Sequence, residues 1–516
     1  MPAANQPHHE TSRRRAAGAR LFRAAAAAGG GLLILAAFPP IGWWPLASVG
    51  VALTVLAIRG ASVRFGALLG LLAGLALFVP LLRWIQVIGT DGWIVLAVMQ
   101  SLYVAALGGA TAVVSRLQAW PLWSAALWVA EEFVRSRFPL GGFTWGRLAF
   151  SQTDSPFTPY AAVGGAPLVT FVTALAGCAL AWALVTARRR RTLAVTGLAS
   201  AVVMPVAPVV AYPELDATSG RPVRVAAVQG NVPQLGLDFL GQREAVLNNH
   251  TGQTHRLAEL VRAGRIRPPD MVVWPENSSD IDPGRDLGAR QKIQDAVADV
   301  GVPVLVGTLA EYPERGEREN RGVVWDPETG AGEHYVKRHP VPFGEYVPFR
   351  SVLAALIGRF DMVPLDMVKG DRPGVMRLGP ARIGDVICFE VAYDGLVRDV
   401  VGGGAQILVV QTNNATFGLS GQPEQQLAIS RLRAVEHGRT VVVAATSGIS
   451  AIVAPDGRTL DVSEEFTPDL LVERVPARDT VTLADRLGET PEWALTILAL
   501  GAVLAGTRGA FIRKRT

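Results

Sequence analysis

Cysteine and histidine are scarce in this sequence, with two cysteines and seven histidines among 516 residues. Two cysteines, Cys178 and Cys388, exclude a disulfide scaffold. The histidines do not show zinc-ligand spacing, because His334 and His339 lack a third nearby ligand. We therefore expect no metal site.

Charge is sparse in the first 212 residues, which hold 16 basic and 5 acidic side chains. The remaining 304 residues hold 33 basic and 39 acidic side chains. Their charged fraction of about 24% is typical of soluble domains. The net charge of +5 therefore describes no single surface. The arginines lie in short clusters between apolar runs and form no continuous basic face, which argues against nucleic-acid binding.

Long apolar runs take the place of charge in this first part. A helix rises 1.5 Å per residue, so about 20 residues cross the hydrocarbon core of a membrane. We predict seven transmembrane helices before residue 213 and one near the carboxyl end, at 20–38, 45–58, 65–82, 93–115, 120–134, 160–186, 192–212 and 491–509. The second and fifth runs are short, and Gly164, Gly165 and Pro167 interrupt the sixth.

The arginines predict the orientation of these helices, because Lys and Arg accumulate in short cytoplasmic loops. They precede the first run and follow the second, fourth, sixth and eighth, at 13–15, 59, 116, 188–191 and 513. All lie on one side if the amino terminus is cytoplasmic. We then expect a membrane domain (1–212), an extracytoplasmic domain (213–490), and a final helix with a basic tail (491–516). A cleaved signal peptide with a twin-arginine signal is the alternative for the amino terminus.

After Arg221 the pattern changes to short apolar runs that alternate with polar helical stretches. Such runs are typical of strands buried on both faces of a sheet. We predict strands at 223–228, 271–274, 302–308, 383–387, 406–412 and 440–446, and helices at 242–262, 289–300 and 423–438. The segments 326–330 and 455–457 predict hairpin turns. The result is a layered α/β domain with some antiparallel pairing.

Glu276, Lys337 and Cys388 fall at or near predicted strand ends, where reactive groups of layered α/β domains gather. A thiol that transfers an acyl group needs a proton acceptor, a cation for the developing oxyanion and a backbone N–H. The carboxylate, the ammonium and the Phe389 amide can supply them. Taken singly, each residue also has an ordinary explanation, as a capping glutamate, a surface lysine or a core cysteine. Spacing alone does not decide between these interpretations.

Six segments follow one another in order: VAAVQGNVPQ (225–234), VVWPEN (272–277), YVKRHPVPFGEYVPFR (335–350), GDVICFE (384–390), QTNNATFG (411–418) and RLRAVEHGR (431–439). Together they resemble the carbon-nitrogen hydrolase, or nitrilase, superfamily. The resemblance is closer to its membrane-bound branch, the apolipoprotein N-acyltransferases. The arrangement of seven apolar runs, one domain and one further run extends it over nearly the whole chain.

This resemblance implies a nitrilase-like αββα sandwich inserted between the seven-helix bundle and the last helix. It places a catalytic triad on Glu276, Lys337 and Cys388. It also assigns supporting active-site roles to Glu345, Glu390 and Asn320, which we add to the Phe389 amide named above. The family commonly has NDAWFG where this chain has NNATFG (413–418), and the tryptophan expected soon after QGNVPQ is absent.

The function implied by the resemblance is acyl transfer in the bacterial cytoplasmic (inner) membrane, with the catalytic domain on the extracytoplasmic side. A phospholipid donates the acyl chain to Cys388 as a thioester. The acceptor is the α-amine of the diacylglyceryl-cysteine that begins an apolipoprotein. The phospholipid ester supplies the energy, so we expect no nucleotide or other cofactor.

Three other functions stay open at this point. A membrane-tethered amidase or nitrilase would use the same triad to hydrolyse a C–N bond. The substituted NNATFG segment permits a scaffold that has lost activity, although the three triad residues are intact. The helix bundle alone would suit a transporter, but ionisable residues within the apolar runs are scarce.

Overall fold

The computed structural model describes residues 7–187, 218–232, 242–350 and 365–512. These form two compact units. One unit contains the helices before residue 159, the chain from Pro167 to the end of the sixth helix, and the last helix. The other contains all the strands and the helices between them. Each unit is described by itself.

The first unit is entirely helical in its described elements. Its helices are α1 (Pro7–Ala37), α2 (Pro45–Ile58), α3 (Val63–Leu81), α4 (Thr90–Val114), α5 (Trp120–Arg135), α6 (Ala161–Thr186, of which the part from Pro167 belongs to this unit) and α12 (Thr490–Ile512). By length and composition, five of them could cross a membrane: α1, α3, α4, α6 and α12. The backbone of α6 is non-helical at Gly164 and Gly165, as the sequence predicts. The predicted helix at 192–212 lies outside the described residues.

The short helices α2 and α5 have 14 and 16 residues. The polar end of α5 is held by buried ion pairs. Arg135 lies 2.9 Å from Glu131, and Arg147 lies 3.3 Å from Glu132. Glu492 of α12 accepts a hydrogen bond of 2.6 Å from Arg137. These charged groups are paired with one another, which offsets the cost of removing them from water.

The second unit contains two sheets. Its strands are β1 (Arg221–Gln229), β2 (Met271–Val273), β3 (Val304–Tyr312), β4 (Glu317–Asp326), β5 (Gly330–Val336), β6 (Asp366–Met367), β7 (Val375–Leu378), β8 (Ala381–Ile387), β9 (Ile407–Thr412), β10 (Thr440–Ala445), β11 (Ala451–Val453), β12 (Thr459–Val462) and β13 (Asp469–Ala477). The first sheet has the order β13-β1-β2-β3-β4-β5, with β6 beside β4. The second has the order β12-β11-β10-β9-β8-β7.

Parallel pairing joins the central strands of each sheet, and the short β6 also pairs in parallel with β4. Strands β1, β2 and β3 are parallel to one another, as are β8, β9 and β10. The other strand pairs are antiparallel, and the predicted turns at 326–330 and 455–457 join β4 to β5 and β11 to β12. Both hairpin predictions are therefore correct.

Helices cover the outer face of each sheet. They are α7 (Arg243–Arg262) and α8 (Leu287–Val300) on the first sheet, and α9 (Asp394–Gly402) and α10 (Gln422–His437) on the second, followed by the short α11 (Leu483–Leu487). Alternate residues of one strand face opposite layers. In β1, Val225 and Ala227 face the second sheet, whereas Ala226 and Val228 face the helices. The layers are therefore helix, sheet, sheet, helix, as the resemblance implies.

Candidate active site

The candidate site lies where the carboxyl ends of the central parallel strands of both sheets meet. Glu276 follows β2 and Cys388 follows β8. Asn413 follows β9, and its backbone N–H donates to Glu276 Oε2 at 2.9 Å. Thr446 follows β10, and its hydroxyl donates to the Glu276 carbonyl at 2.9 Å. The second sheet thus fixes both the backbone and the carboxylate of a residue carried by the first.

Lys337 is a buried cation held between two carboxylates. It directly follows β5, and 1% of its surface is exposed. Its Nζ lies 3.0 Å from Glu276 Oε1 and 2.7 Å from Glu345 Oε1. Burial alone would lower the pKa of Lys337, but the charges of Glu276 and Glu345 hold that pKa well above its usual value. Lys337 is therefore an ammonium ion throughout the physiological range.

The two carboxylates around Lys337 are themselves fixed by hydrogen bonds. Asn320, in β4, donates from Nδ2 to Glu276 Oε1 at 2.7 Å. The backbone N–H of Val341 donates to Glu345 Oε2 at 2.7 Å. Each oxygen of an ionised carboxylate can accept about two hydrogen bonds. Glu276 Oε2, with one bond to Asn413, therefore keeps capacity to accept a proton.

Cys388 begins a tight 3₁₀ turn, Cys388–Ala392, between β8 and α9. Its φ is +56°, a left-handed conformation that is strained for a residue with a side chain. Cys388 as a whole residue is half-buried. Phe389 is the next residue in this turn, so its backbone N–H directly follows Cys388 in the chain. The Phe389 ring packs against the ring of Tyr393, with 5.7 Å between the ring centroids.

The thiol of Cys388 is protonated at rest. Burial and the charge of Glu276 together raise the pKa of Cys388 to about 12, although the charge of Lys337 lowers it. Thr412 Oγ1 lies 3.4 Å from the sulfur and 3.1 Å from Gln426 Oε1. A hydroxyl has one proton to donate, so Thr412 can donate to the sulfur or to Gln426 Oε1, but not to both at once.

Glu390 links the turn that carries Cys388 to the residues that follow Lys337. It is fully buried and accepts hydrogen bonds from the backbone N–H groups of Ile387 (2.7 Å), Arg338 (2.7 Å) and His339 (2.9 Å), and from the Tyr335 hydroxyl. Burial raises the pKa of Glu390, whereas Lys337 and the donors at Ile387, His339 and Tyr335 lower it. These hydrogen bonds tie the backbone next to Cys388 to the backbone next to Lys337, so Glu390 keeps the two segments together.

The structure brings the residues singled out from the sequence into one place. Glu276, Lys337, Glu345 and Asn320 form one hydrogen-bonded group, and its charges act on Cys388. Sequence reasoning missed further contacts made by Thr412, Asn413, Thr446 and Tyr335. The first two lie within the QTNNATFG segment, which could have drawn attention to them. Among the described residues, no group of three or more His, Cys, Asp or Glu could hold a metal.

Comparison with known proteins identifies two family models along the chain. The apolipoprotein N-acyltransferase N-terminal domain matches residues 30–179, and the carbon-nitrogen hydrolase model matches residues 224–484. An apolipoprotein N-acyltransferase of Mycolicibacterium smegmatis is 41% identical over 493 residues, covering 91% of this chain and 82% of the relative. One of Azotobacter vinelandii is 31% identical, covering 91% and 92%. Among solved structures, an amidase from Nesterenkonia sp. is 21% identical with a TM-score of 0.39, covering 53% of this chain and 96% of that chain.

Proposed function

This chain belongs to the apolipoprotein N-acyltransferase family, and on that premise we propose that it transfers an acyl chain from a membrane phospholipid to the amino terminus of an apolipoprotein. The observation that carries the proposal is the buried ammonium of Lys337 held between Glu276 and Glu345, with their charges acting on the Cys388 thiol. An ordinary surface lysine would be exposed to solvent, whereas Lys337 is buried. An ordinary core cysteine would have apolar neighbours, whereas Cys388 lies near the charges of Glu276 and Lys337.

The first half of the reaction loads the acyl chain on the enzyme. Glu276 takes the proton of Cys388 as the sulfur attacks the ester carbonyl of the phospholipid. Lys337 and the Phe389 amide stabilise the oxyanion that forms. The C–O bond then breaks, Glu276 returns the proton to the departing lysophospholipid oxygen, and a thioester remains on Cys388.

The second half of the reaction uses the free α-amine of the diacylglyceryl-cysteine. Glu276 accepts a proton from this amine as it attacks the thioester carbonyl, and the same two donors stabilise the oxyanion. The C–S bond breaks, the proton returns to the sulfur, and an amide is released. Glu345 and Asn320 keep Lys337 and Glu276 in place, and Glu390 positions the cysteine turn.

We further propose domain boundaries at 1–212, 213–490 and 491–516, in the cytoplasmic membrane of a bacterium, with the catalytic domain outside the cytoplasm. The arginine clusters between the apolar runs support this orientation. The long apolar helices support a membrane location. The proposed substrates support it too, because each carries acyl chains whose exposure to water would cost about 0.8 kcal/mol per CH₂. Hydrolysis by a membrane-tethered amidase is the second candidate, because the same cysteine site could serve it.

The decisive experiment follows label from a phospholipid onto the enzyme. Detergent-solubilised protein is incubated with acyl-labelled phosphatidylethanolamine, and we expect label on Cys388 that hydroxylamine releases. Cys178→Ala is the matched control, because Cys178 is the other cysteine of the chain, and it should load normally. Label retained in Cys388→Ala would refute the assignment. Free carboxylic acid, formed without any transfer to an added diacylglyceryl-peptide amine, would favour the amidase.

A further inference from the structure

Asp385 is a completely buried carboxyl group for which the proposed reaction has no use. It lies in β8, three residues before Cys388, and its exposed fraction is 0%. Among the described residues, neither Oδ1 nor Oδ2 has a hydrogen-bond partner. An ionised carboxylate left without any donor in a protein interior would be strongly unfavourable.

Gln411 of β9 presents a second unpartnered oxygen. Its Nε2 donates to the Trp274 carbonyl at 2.6 Å. A carbonyl oxygen only accepts hydrogen bonds, so this contact fixes which end of the amide is nitrogen. Gln411 Oε1 therefore points the other way, is buried, and has no donor among the described side chains.

These two oxygens face the same point of the opposite sheet. A methyl group on Gly322 of β4 would overlap Asp385 Oδ2 and lie 2.6 Å from Gln411 Oε1. Both oxygens are hydrogen-bond acceptors in a buried place, so neither can satisfy the other unless one of them carries a proton. A proton on Asp385 Oδ2 meets this requirement, because the protonated carboxyl becomes a donor.

The groups around Asp385 favour its neutral form. Burial raises the pKa of Asp385 well above its usual value, and the negative charges of Glu390 and Glu276 raise it further. Tyr335 of β5 also lies close enough for the charge of Asp385 to raise the tyrosine pKa. The neighbouring strands β4 and β9 contribute Gly322 and Gln411, which are uncharged.

We propose that Asp385 is a neutral carboxylic acid that donates from Oδ2 to Gln411 Oε1, and that this bond positions the backbone carrying Glu276. The link runs from Asp385 to Gln411 and from Gln411 to the carbonyl of Trp274, two residues before Glu276. Asp385 is thus a positioning residue that acts through Gln411. The positioning role depends on the function proposed above, whereas the protonation state does not.

The protonation state is tested by stability as a function of pH. The unfolded chain releases the Asp385 proton above about pH 4, while the folded chain retains it. Folded wild-type protein should therefore lose stability relative to Asp385→Asn as the pH rises from 5 to 8. We expect the melting temperature of full-length Asp385→Asn, measured by tryptophan fluorescence in detergent, to exceed that of wild type by a margin that grows with pH. The exposed Asp371→Asn is the control and should show no growing margin.

A margin that stays constant between pH 5 and pH 8 would overturn the protonated state of Asp385. Positioning is tested by acyl loading from labelled phospholipid. Asp385→Asn keeps a donor toward Gln411, whereas Asp385→Leu leaves Gln411 Oε1 unsatisfied and should load about tenfold more slowly than Asp385→Asn. Equal loading by the two variants would overturn the positioning role. Absence of loading in wild type would instead refute the proposed function and leave the pH series valid, and the pH series decides alone if Asp385→Leu does not fold.

Discussion

Lys337 lies between two carboxylates, and this position determines which residue can remove a proton from the thiol. An ammonium whose pKa is held well above its usual value has no free lone pair, so Lys337 cannot act as a base. It can stabilise an oxyanion, because its charge is compact and already oriented. Glu276 is left as the acceptor. The opposite assignment, with lysine as the base, would require the lysine pKa to fall, as it does in an apolar pocket without carboxylates.

The raised pKa of Cys388 gives a prediction for alkaline solution. A thiol with a pKa of about 12 has only about one molecule in 10⁴ ionised at pH 8, and this fraction rises tenfold per pH unit. We therefore expect alkylation of Cys388 by iodoacetamide to keep accelerating beyond pH 9, without a plateau. The measurement uses the Cys178→Ala variant, in which Cys388 is the remaining cysteine. A plateau between pH 8 and pH 9 would show an ordinary thiol and would contradict a site in which burial outweighs Lys337.

The sequence allowed a site residue to be predicted only where its side chain itself supplies a distinct chemical function. Glu276, Lys337 and Cys388 could be proposed from the sequence because a carboxylate, an ammonium and a thiol are distinctive. Asn413 could not be assigned a role in this way, because it contributes its backbone N–H to Glu276. A role for Asp385 could not be predicted from the sequence either. Its environment depends on Gln411 and Gly322, and Gly322 comes close only because the two sheets pack together.

At the scale of elements, the strands that the sequence predicts are those buried on both faces. β1, β8, β9 and β10 are nearly continuous apolar runs and lie at the centres of the two sheets. The bounds of β4 and the existence of β13 were not predicted, because charged residues interrupt both strands; β4 was implied only as one arm of the hairpin at 326–330. β13 pairs with β1 along nine residues although more than 200 residues separate them. Backbone pairing over such a distance leaves no local pattern in the sequence.

Strand β3 must approach the segment carrying Glu276 closely, which gives a prediction for Gly307. A methyl group there would overlap the Pro275 carbonyl oxygen and lie 2.8 Å from the Glu276 Cα. Gly307→Ala should therefore displace Glu276 and destabilise the fold by about 1–3 kcal/mol, as overpacking does. We expect slower acyl loading and a lower denaturant midpoint.

Gly332→Ala is the matched control for this substitution. Gly332 lies in β5, and a methyl group there would meet Val324 O at an ordinary 3.5 Å. This variant should load and unfold like wild type. Equal behaviour of the two alanine variants would show that Glu276 does not depend on the close approach of β3.

For the whole molecule, the orientation of the catalytic domain depends on whether the number of crossings before it is odd. Helix α2 has 14 residues and is about 21 Å long, which is less than the hydrocarbon thickness of about 30 Å. If α2 turned back within the membrane, six of the seven predicted helices would cross before residue 213, and the domain would lie in the cytoplasm. The arginine pattern predicts seven crossings, because with seven crossings all the clusters share one side.

An introduced cysteine can decide between these two topologies. Glu328 is exposed in the turn between β4 and β5, so Glu328→Cys, made in a chain carrying Cys178→Ala and Cys388→Ser, presents a single thiol on the domain surface. We expect a membrane-impermeant maleimide to label it in spheroplasts. Thr516→Cys in the same background is the control and should be labelled only after the membrane is permeabilised, because the arginine pattern predicts a cytoplasmic basic tail. Labelling of Glu328→Cys only after permeabilisation would place the domain inside and require an even number of crossings.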